Sequence, residues 1–125
     1  MNYLDELFYT KEHVWLKYVD SHKYQLGITN FAQDLLGDIV FIDIKSNESI
    51  FLNQTMGIIE SVKTASDIIA PVDGKISDIN PNLIKNPELI NDNPHETWIC
   101  EILINDTFNE NNFLNKKEYL EQINT

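Results

Sequence analysis

A chain of 125 residues with 42 % apolar content is long enough to fill one ordinary core, so a single domain over 1–125 is expected. The net charge is −11 and all nine cations are lysine, so the chain lacks the planar forks that grip phosphate and repels nucleic acid and anionic lipid. No apolar run approaches the roughly 18 residues of a membrane span, Met1 to Leu7 lack the basic start and apolar stretch of a leader, and Cys100 has no partner for a disulfide, which together predict a cytoplasmic protein.

Glu12 to Val19 alternates as a strand, with His13, Trp15 and Lys17 on one face and Val14, Leu16 and Tyr18 on the other. Asp20 to His22 reads as a turn, and Lys23 to Ile28 as the returning strand. Asn30 to Leu36 suits a short helix, with Asn30 as its cap, Gln33 reaching back to the start and Gly37 as its stop. Asp38 to Ile44 is a strongly β-branched strand. Lys45 to Asn53 reads as a polar turn region broken by Ile50, Phe51 and Leu52.

Two short β-branched runs follow, Gly57-Ile58-Ile59 and Ile68-Ile69, and Ala70-Pro71 with Asp73-Gly74 ends the second. Their spacing predicts a hairpin over about 57–70 with Val62 to Ala65 at the connection. Lys63 is the only cation from Met56 to Gly74, and small residues surround it. A lysine at a hairpin tip projects into solvent within reach of a modifying enzyme, and its long stem swings whatever is joined to it. Most lysines in β-turns are solvated surface groups, and the spacing alone leaves that reading open.

Lys75 to Ile79 continues as a strand after Gly74. Gly57-Ile-Ile-Glu60 and Gly74-Lys-Ile-Ser77 open strands on either side of the hairpin, a short echo expected of two related halves. Asn80 to Pro94, with three prolines and five asparagines, reads as an extended loop whose Leu83, Leu89 and Ile90 tuck onto the core. Thr97 to Ile104 is the last long strand, with Trp98, Cys100, Ile102 and Ile104 on one face and Cys100 as a small core residue. Asn115 to Glu118 forms a capping box before a final helix over about 115–123, with Leu114 and Tyr119 placed for a hydrophobic staple. His13, His22 and His95 are scattered, without metal-ligand spacing, and read as surface or turn residues. No glycine-rich phosphate loop appears, and no cation beside Cys100 activates it. The chain reads as a substrate for enzymes rather than as an enzyme.

Glu60-Ser61-Val62-Lys63-Thr64-Ala65-Ser66-Asp67 resembles the lipoylation motif of the glycine cleavage system H proteins. Three other stretches agree with that family in its order: Tyr9-Thr10-Lys11-Glu12-His13-Val14-Trp15, Gly27-Ile28-Thr29-Asn30-Phe31-Ala32-Gln33 with Leu36-Gly37-Asp38, and Pro87-Glu88-Leu89-Ile90-Asn91 with Trp98. The resemblance spans nearly the whole chain. It implies a mainly β fold, a flattened β-barrel of the lipoyl-domain type (a barrel-sandwich hybrid) with short helices including a C-terminal one. It implies lipoate as the cofactor, joined to Lys63 by an amide, with no metal and no catalytic residue. The implied role is a carrier that shuttles the aminomethyl group of glycine from a pyridoxal-phosphate-dependent glycine decarboxylase to a tetrahydrofolate-dependent aminomethyltransferase. An FAD-dependent dihydrolipoyl dehydrogenase reoxidises the arm, and a lipoate ligase or a lipoyl/octanoyl transferase attaches it.

Other readings predict other neighbours for the lysine. A biotin carrier shares the fold but usually has Met on both sides, where this chain has Val62 and Thr64. The lipoyl domain of a 2-oxoacid dehydrogenase is generally tethered by a Pro/Ala-rich linker, and no such stretch occurs here. A lipoyl donor or relay protein supplying 2-oxoacid dehydrogenase complexes, and an unmodified H-like interaction protein, stand as alternatives. The chain departs from the family at Val14, where many H proteins have glutamate, and at Leu35, where some have histidine. By resemblance, polar groups there hold the loaded arm in a surface cleft, so the departures predict weaker docking, with Asp67 and Glu12 as the remaining acids.

Overall fold

The computed structural model describes residues 6–45, 48–105 and 108–124. In chain order, strands β1 (Phe8–Tyr9), β2 (Val14–Asp20) and β3 (Lys23–Ile28) precede helix α1 (Asn30–Leu36) and strands β4 (Ile39–Ile44) and β5 (Ser49–Ile50). The hairpin is β6 (Thr55–Ser61) and β7 (Ala65–Ile69), followed by β8 (Gly74–Ile79), α2 (Pro81–Lys85) and a 3-10 turn at Pro87–Asn91. Strand β9 (Cys100–Leu103), a second 3-10 turn at Glu110–Asn112 and helix α3 (Lys116–Ile123) complete the described elements, and no helix among them is long and apolar enough to cross a membrane.

Antiparallel pairing builds two sheets, one in the order β1-β2-β3-β9-β8-β5 and the other β4-β6-β7. The mainly β class with short helices is as expected, but the sheets are not closed into a barrel. One reason is visible at the edge of β4. There the Asn91 side chain, not another strand, takes the outward-facing N–H and C=O of Ile39.

The main core lies where the two sheets face each other. Leu16, Leu26, Ile76 and Ile102 come from the larger sheet, and Ile39, Ile42, Ile59 and Ile68 from the smaller. A register shift between Ile39 and Phe41 resets the alternation of β4, so Ile39 and Ile42 both face inward while Val40 and Phe41 are exposed. A second cluster of Leu7, Tyr9, Trp15 and Tyr119 covers the start of β2. For that reason Val14, Trp15 and Leu16 are buried in succession, and the simple two-faced alternation expected for this strand is lost. The expected strand also begins later, at Val14, because His13 has a left-handed φ of 66°.

Other expectations shift for local reasons. Thr29, not Asn30, caps α1: its Oγ1 accepts from Ala32 N–H at 3.2 Å, and Gly37 ends the helix as expected. The 80–94 segment is not an extended loop, since Pro81 and Pro87 sit at the starts of helical turns, where a missing N–H costs nothing. Leu83 and Ile90 are buried there, while Leu89 is exposed. Within the expected turn region, Ser49–Ile50 pairs with Lys75 and Gly74. Next to that pairing, a Cβ on Gly74 would lie 2.7 Å from the carbonyl oxygen of Leu103, so only glycine lets β8 approach β9 so closely. The last strand is shorter than Thr97–Ile104 and starts at Cys100, with Trp98 turned onto the second cluster. The capping box of α3 is present in both directions, at 2.9 Å each way, and Leu114 packs with the cluster that holds Tyr119.

Candidate functional site

Lys63 stands at the connection of β6 and β7, as the sequence predicts. The turn is held by one side chain. Ser61 N–H donates to Thr64 O at 2.7 Å, and the Ser61 hydroxyl donates to the same oxygen at 3.2 Å. The Ser61 Oγ also accepts from Lys63 N–H at 3.3 Å and from Thr64 N–H at 3.1 Å. A serine at the first position of a tight turn satisfies amides that the turn itself leaves open. Sequence reasoning did not single out Ser61, although its place two residues before the lysine carried that signal.

A second strut ties the tip to the start of the sheet's edge strand. Val62 N–H donates to Asp38 O at 3.0 Å, beside the Ile39–Ser61 pair that begins β4. Gly37 lies under the lysine stem, with a φ of 85° that favours glycine. A Cβ at this position would come within 3.1 Å of Lys63 Cε, so the absent side chain leaves the groove along which the stem runs. Val62 is 70 % exposed, Lys63 is exposed, and among the described residues no acid lies within ion-pair distance of its ammonium. Glu60 and Asp67 stand exposed on the outer face of the hairpin with Asp43, which keeps that face acidic and wet. The result is a reachable primary amine on a fixed base. It has room for an acyl group at Nζ and no local partner to compete for it, so the chemistry of the site fits a lysine amide.

The remaining expected groups lie elsewhere. No cluster of His, Cys, Asp or Glu able to hold a metal ion occurs among the described residues. His95 is in a turn, as expected, but is only 6 % exposed, and its Nε2 accepts from Asn30 N–H at 3.0 Å. His13 Nδ1 and the Tyr119 hydroxyl are 2.7 Å apart, and that hydroxyl is also 2.7 Å from Thr29 Oγ1. Burial lowers the His13 pKa from its ordinary value, and the nearby Glu12 charge partly opposes the shift. Cys100 is in the core, where burial first and Glu101 second push its thiol up to about 12. Val14 and Leu35, paired in the sequence as departures from one cleft, occupy different environments. Val14 is 2 % exposed and faces the main core, whereas Leu35 is 59 % exposed on α1. Val14 is therefore a core residue in this chain and not part of an open surface.

The chain is similar to known proteins over nearly its whole length. The family model described as glycine cleavage H-protein matches residues 7–125. The glycine cleavage system H protein of Coprothermobacter proteolyticus is 42 % identical over 121 residues, 95 % of each chain. That of Clostridioides difficile is 39 % identical over 120 residues, covering 95 % of this chain and 96 % of the relative. The crystal structure of a glycine cleavage system H protein from Mycobacterium marinum superposes with a TM-score of 0.86 at 27 % identity, covering 98 % of this chain and all of that one. A two-sheet fold with a lysine at its hairpin tip and a match from Leu7 to the last residue leave one assignment: the chain belongs to the glycine cleavage H-protein family.

Proposed function

We propose that Lys63 carries lipoate in amide linkage and that the chain is the lipoyl carrier of glycine cleavage. It moves the aminomethyl group of glycine from a pyridoxal-phosphate-dependent decarboxylase to a tetrahydrofolate-dependent aminomethyltransferase. Membership of the H-protein family supports the carrier role. The observation that carries the assignment to Lys63 is its isolation: it is the only lysine between Lys45 and Lys75, and it tops a hairpin pinned from both sides. When bound, the lipoyl group would supply a cyclic disulfide able to accept the aminomethyl group together with its electron pair, leaving, once the group is handed on, a dithiol that a flavin-dependent dihydrolipoyl dehydrogenase would reoxidise.

This chain's own contribution is placement. The Ser61 and Asp38 bonds hold the attachment point still, so a tethered group searches a small volume and meets each active site at high effective concentration. Acylation removes the Lys63 charge and leaves an already acidic surface more so, which favours partners with basic entrances. A lipoate ligase or lipoyl/octanoyl transferase is the enzyme that reads the tip.

Incubation of the protein and of Lys63→Arg with lipoate ligase, ATP and lipoate tests this directly. Intact mass should rise by one lipoyl group in the parent and not at all in the variant, with both equally folded by circular dichroism. Lipoyl mass on Lys75 or any other lysine, or undiminished labelling of the variant, overturns the assignment.

A further inference from the structure

The corner formed by residues 37–39, between α1 and β4, is the surface on which the Lys63 tip rests. Asp38 O takes the Val62 N–H, and Gly37 runs beneath the lysine stem. Because β4 is an outer strand of its sheet, this corner would expose unpaired backbone groups. A side chain from a segment distant in sequence meets them. Asn91 Oδ1 accepts from Ile39 N–H at 3.0 Å, and Asn91 Nδ2 donates to Ile39 O at 3.2 Å. The carboxamide thus imitates one residue of a neighbouring strand. Gln33, on α1, closes the other side: its Nε2 donates to Gly37 O at 3.2 Å and lies 3.3 Å from Asn91 Oδ1.

Asn91 is itself held, since the neighbouring Ile90 is fully buried in the main core. A continuous path of hydrogen bonds therefore runs from the 3-10 turn at Pro87–Asn91 through Ile39 and Asp38 to Val62, next to the lysine. We infer that Asn91, assisted by Gln33, is a positioning residue for Lys63: it latches the 37–39 corner and so sets the orientation in which the tip meets the enzyme that acylates it. This rests on Lys63 being the acylated residue. Neither side chain hydrogen-bonds to the lysine, and both bond to the backbone of the corner. A residue that only stabilised the fold would raise or lower all amides together, whereas a latch acts first on the tip.

Amide hydrogen exchange followed by NMR, combined with acylation kinetics, tests the latch. In Asn91→Ala the Val62 N–H should exchange about tenfold faster, the change expected from one hydrogen bond's worth of protection, while amides of β3 and β9 stay at parent rates. KM for the protein substrate should rise several-fold with lipoate ligase, and kcat should change little. Asn91→Asp keeps an acceptor for Ile39 N–H and Gln33 but loses the donor to Ile39 O, so its effect should be intermediate. Gln33→Ala, which leaves the Asn91 pair on Ile39 in place, should give a smaller effect of the same kind and provides the measurement if Asn91→Ala folds poorly. Unchanged Val62 exchange in these variants, or equal acceleration at every amide, overturns the inference. Absence of labelling at Lys63 in the parent protein overturns the attachment reading instead, and the exchange comparison still decides whether the latch exists.

Discussion

At the scale of single residues, Gly37 has two separate reasons to be glycine. Its backbone, at φ 85° and ψ −156°, occupies a region that residues with a Cβ rarely enter, and the space above it holds the Lys63 stem. Alanine at this position would add backbone strain of about 1–3 kcal/mol and press on Lys63 Cε. Urea denaturation of Gly37→Ala should show a loss in that range, together with slower acylation of Lys63. A variant with parental stability would mean that the corner relaxes at no cost. Val14 teaches the opposite lesson. The type of residue, compared with its counterpart in the family, pointed to an arm-facing cleft, yet this valine is enclosed by the main core. A glutamate introduced there would have to bury its carboxylate, a cost set by desolvation and not by any contact with the arm.

Among the elements, α3 has the longest reach. Its capping box and staple are local and start the helix, but its place on the sheet comes from Tyr119, which is fully buried and stacked on Tyr9 with ring centroids 4.8 Å apart. The Tyr119 hydroxyl meets both His13 and Thr29, and Thr29 caps α1. One hydroxyl thus links the C-terminal helix to the start of the helix whose other end lies under Lys63. Tyr119→Phe keeps both rings in place for stacking and removes the hydroxyl that meets His13 and Thr29. It should cost about 1–3 kcal/mol, because the buried Thr29 hydroxyl keeps the Ala32 N–H but loses its bond to Tyr119. Chemical denaturation monitored by tryptophan fluorescence measures this, and a loss below ~0.5 kcal/mol would show that the hydroxyls find replacements at no cost.

On the scale of the whole molecule, Cys100 reports how the larger sheet and the core beneath it hold together. It sits on β9 opposite Leu26 of β3 and Ile79 of β8, with no exposed surface. Burial pushes its thiol up to about 12, so in the folded protein it is almost entirely the unreactive protonated form at neutral pH. A thiol reagent should therefore label the native protein only through opening of the sheet, at a rate that follows the fraction unfolded as urea is added. Rapid labelling in native buffer would contradict this packing. The same shift has a sign in pH. A thiol whose folded pKa lies above the ordinary value of 9.0 contributes its full stability below that value and loses it as pH rises toward 12. Stability should accordingly fall more steeply above about pH 9 in the parent than in Cys100→Ala.

What could be read along the chain was whatever depends on near neighbours. The β-branched runs around Lys63, the turn between them, the Gly37 stop and the Asn115–Glu118 box are short-range patterns of backbone preference and capping, and the structure has all of them. Lys63 itself was legible for the same reason, as a lone cation between two strands. Which face of β2 is covered, where Val14 points, and why 81–85 and 87–91 form helical turns within 80–94 depend on segments far apart in sequence. The sheets stay open for a related reason: Asn91 reaches across 52 residues to take the edge of Ile39, and no periodicity within either segment encodes that contact. Local sequence decided that this protein would present a single lysine on a hairpin. Only the tertiary structure decided what holds that lysine in place, because hydrogen bonds between distant backbone and side-chain groups exist only once the chain has packed.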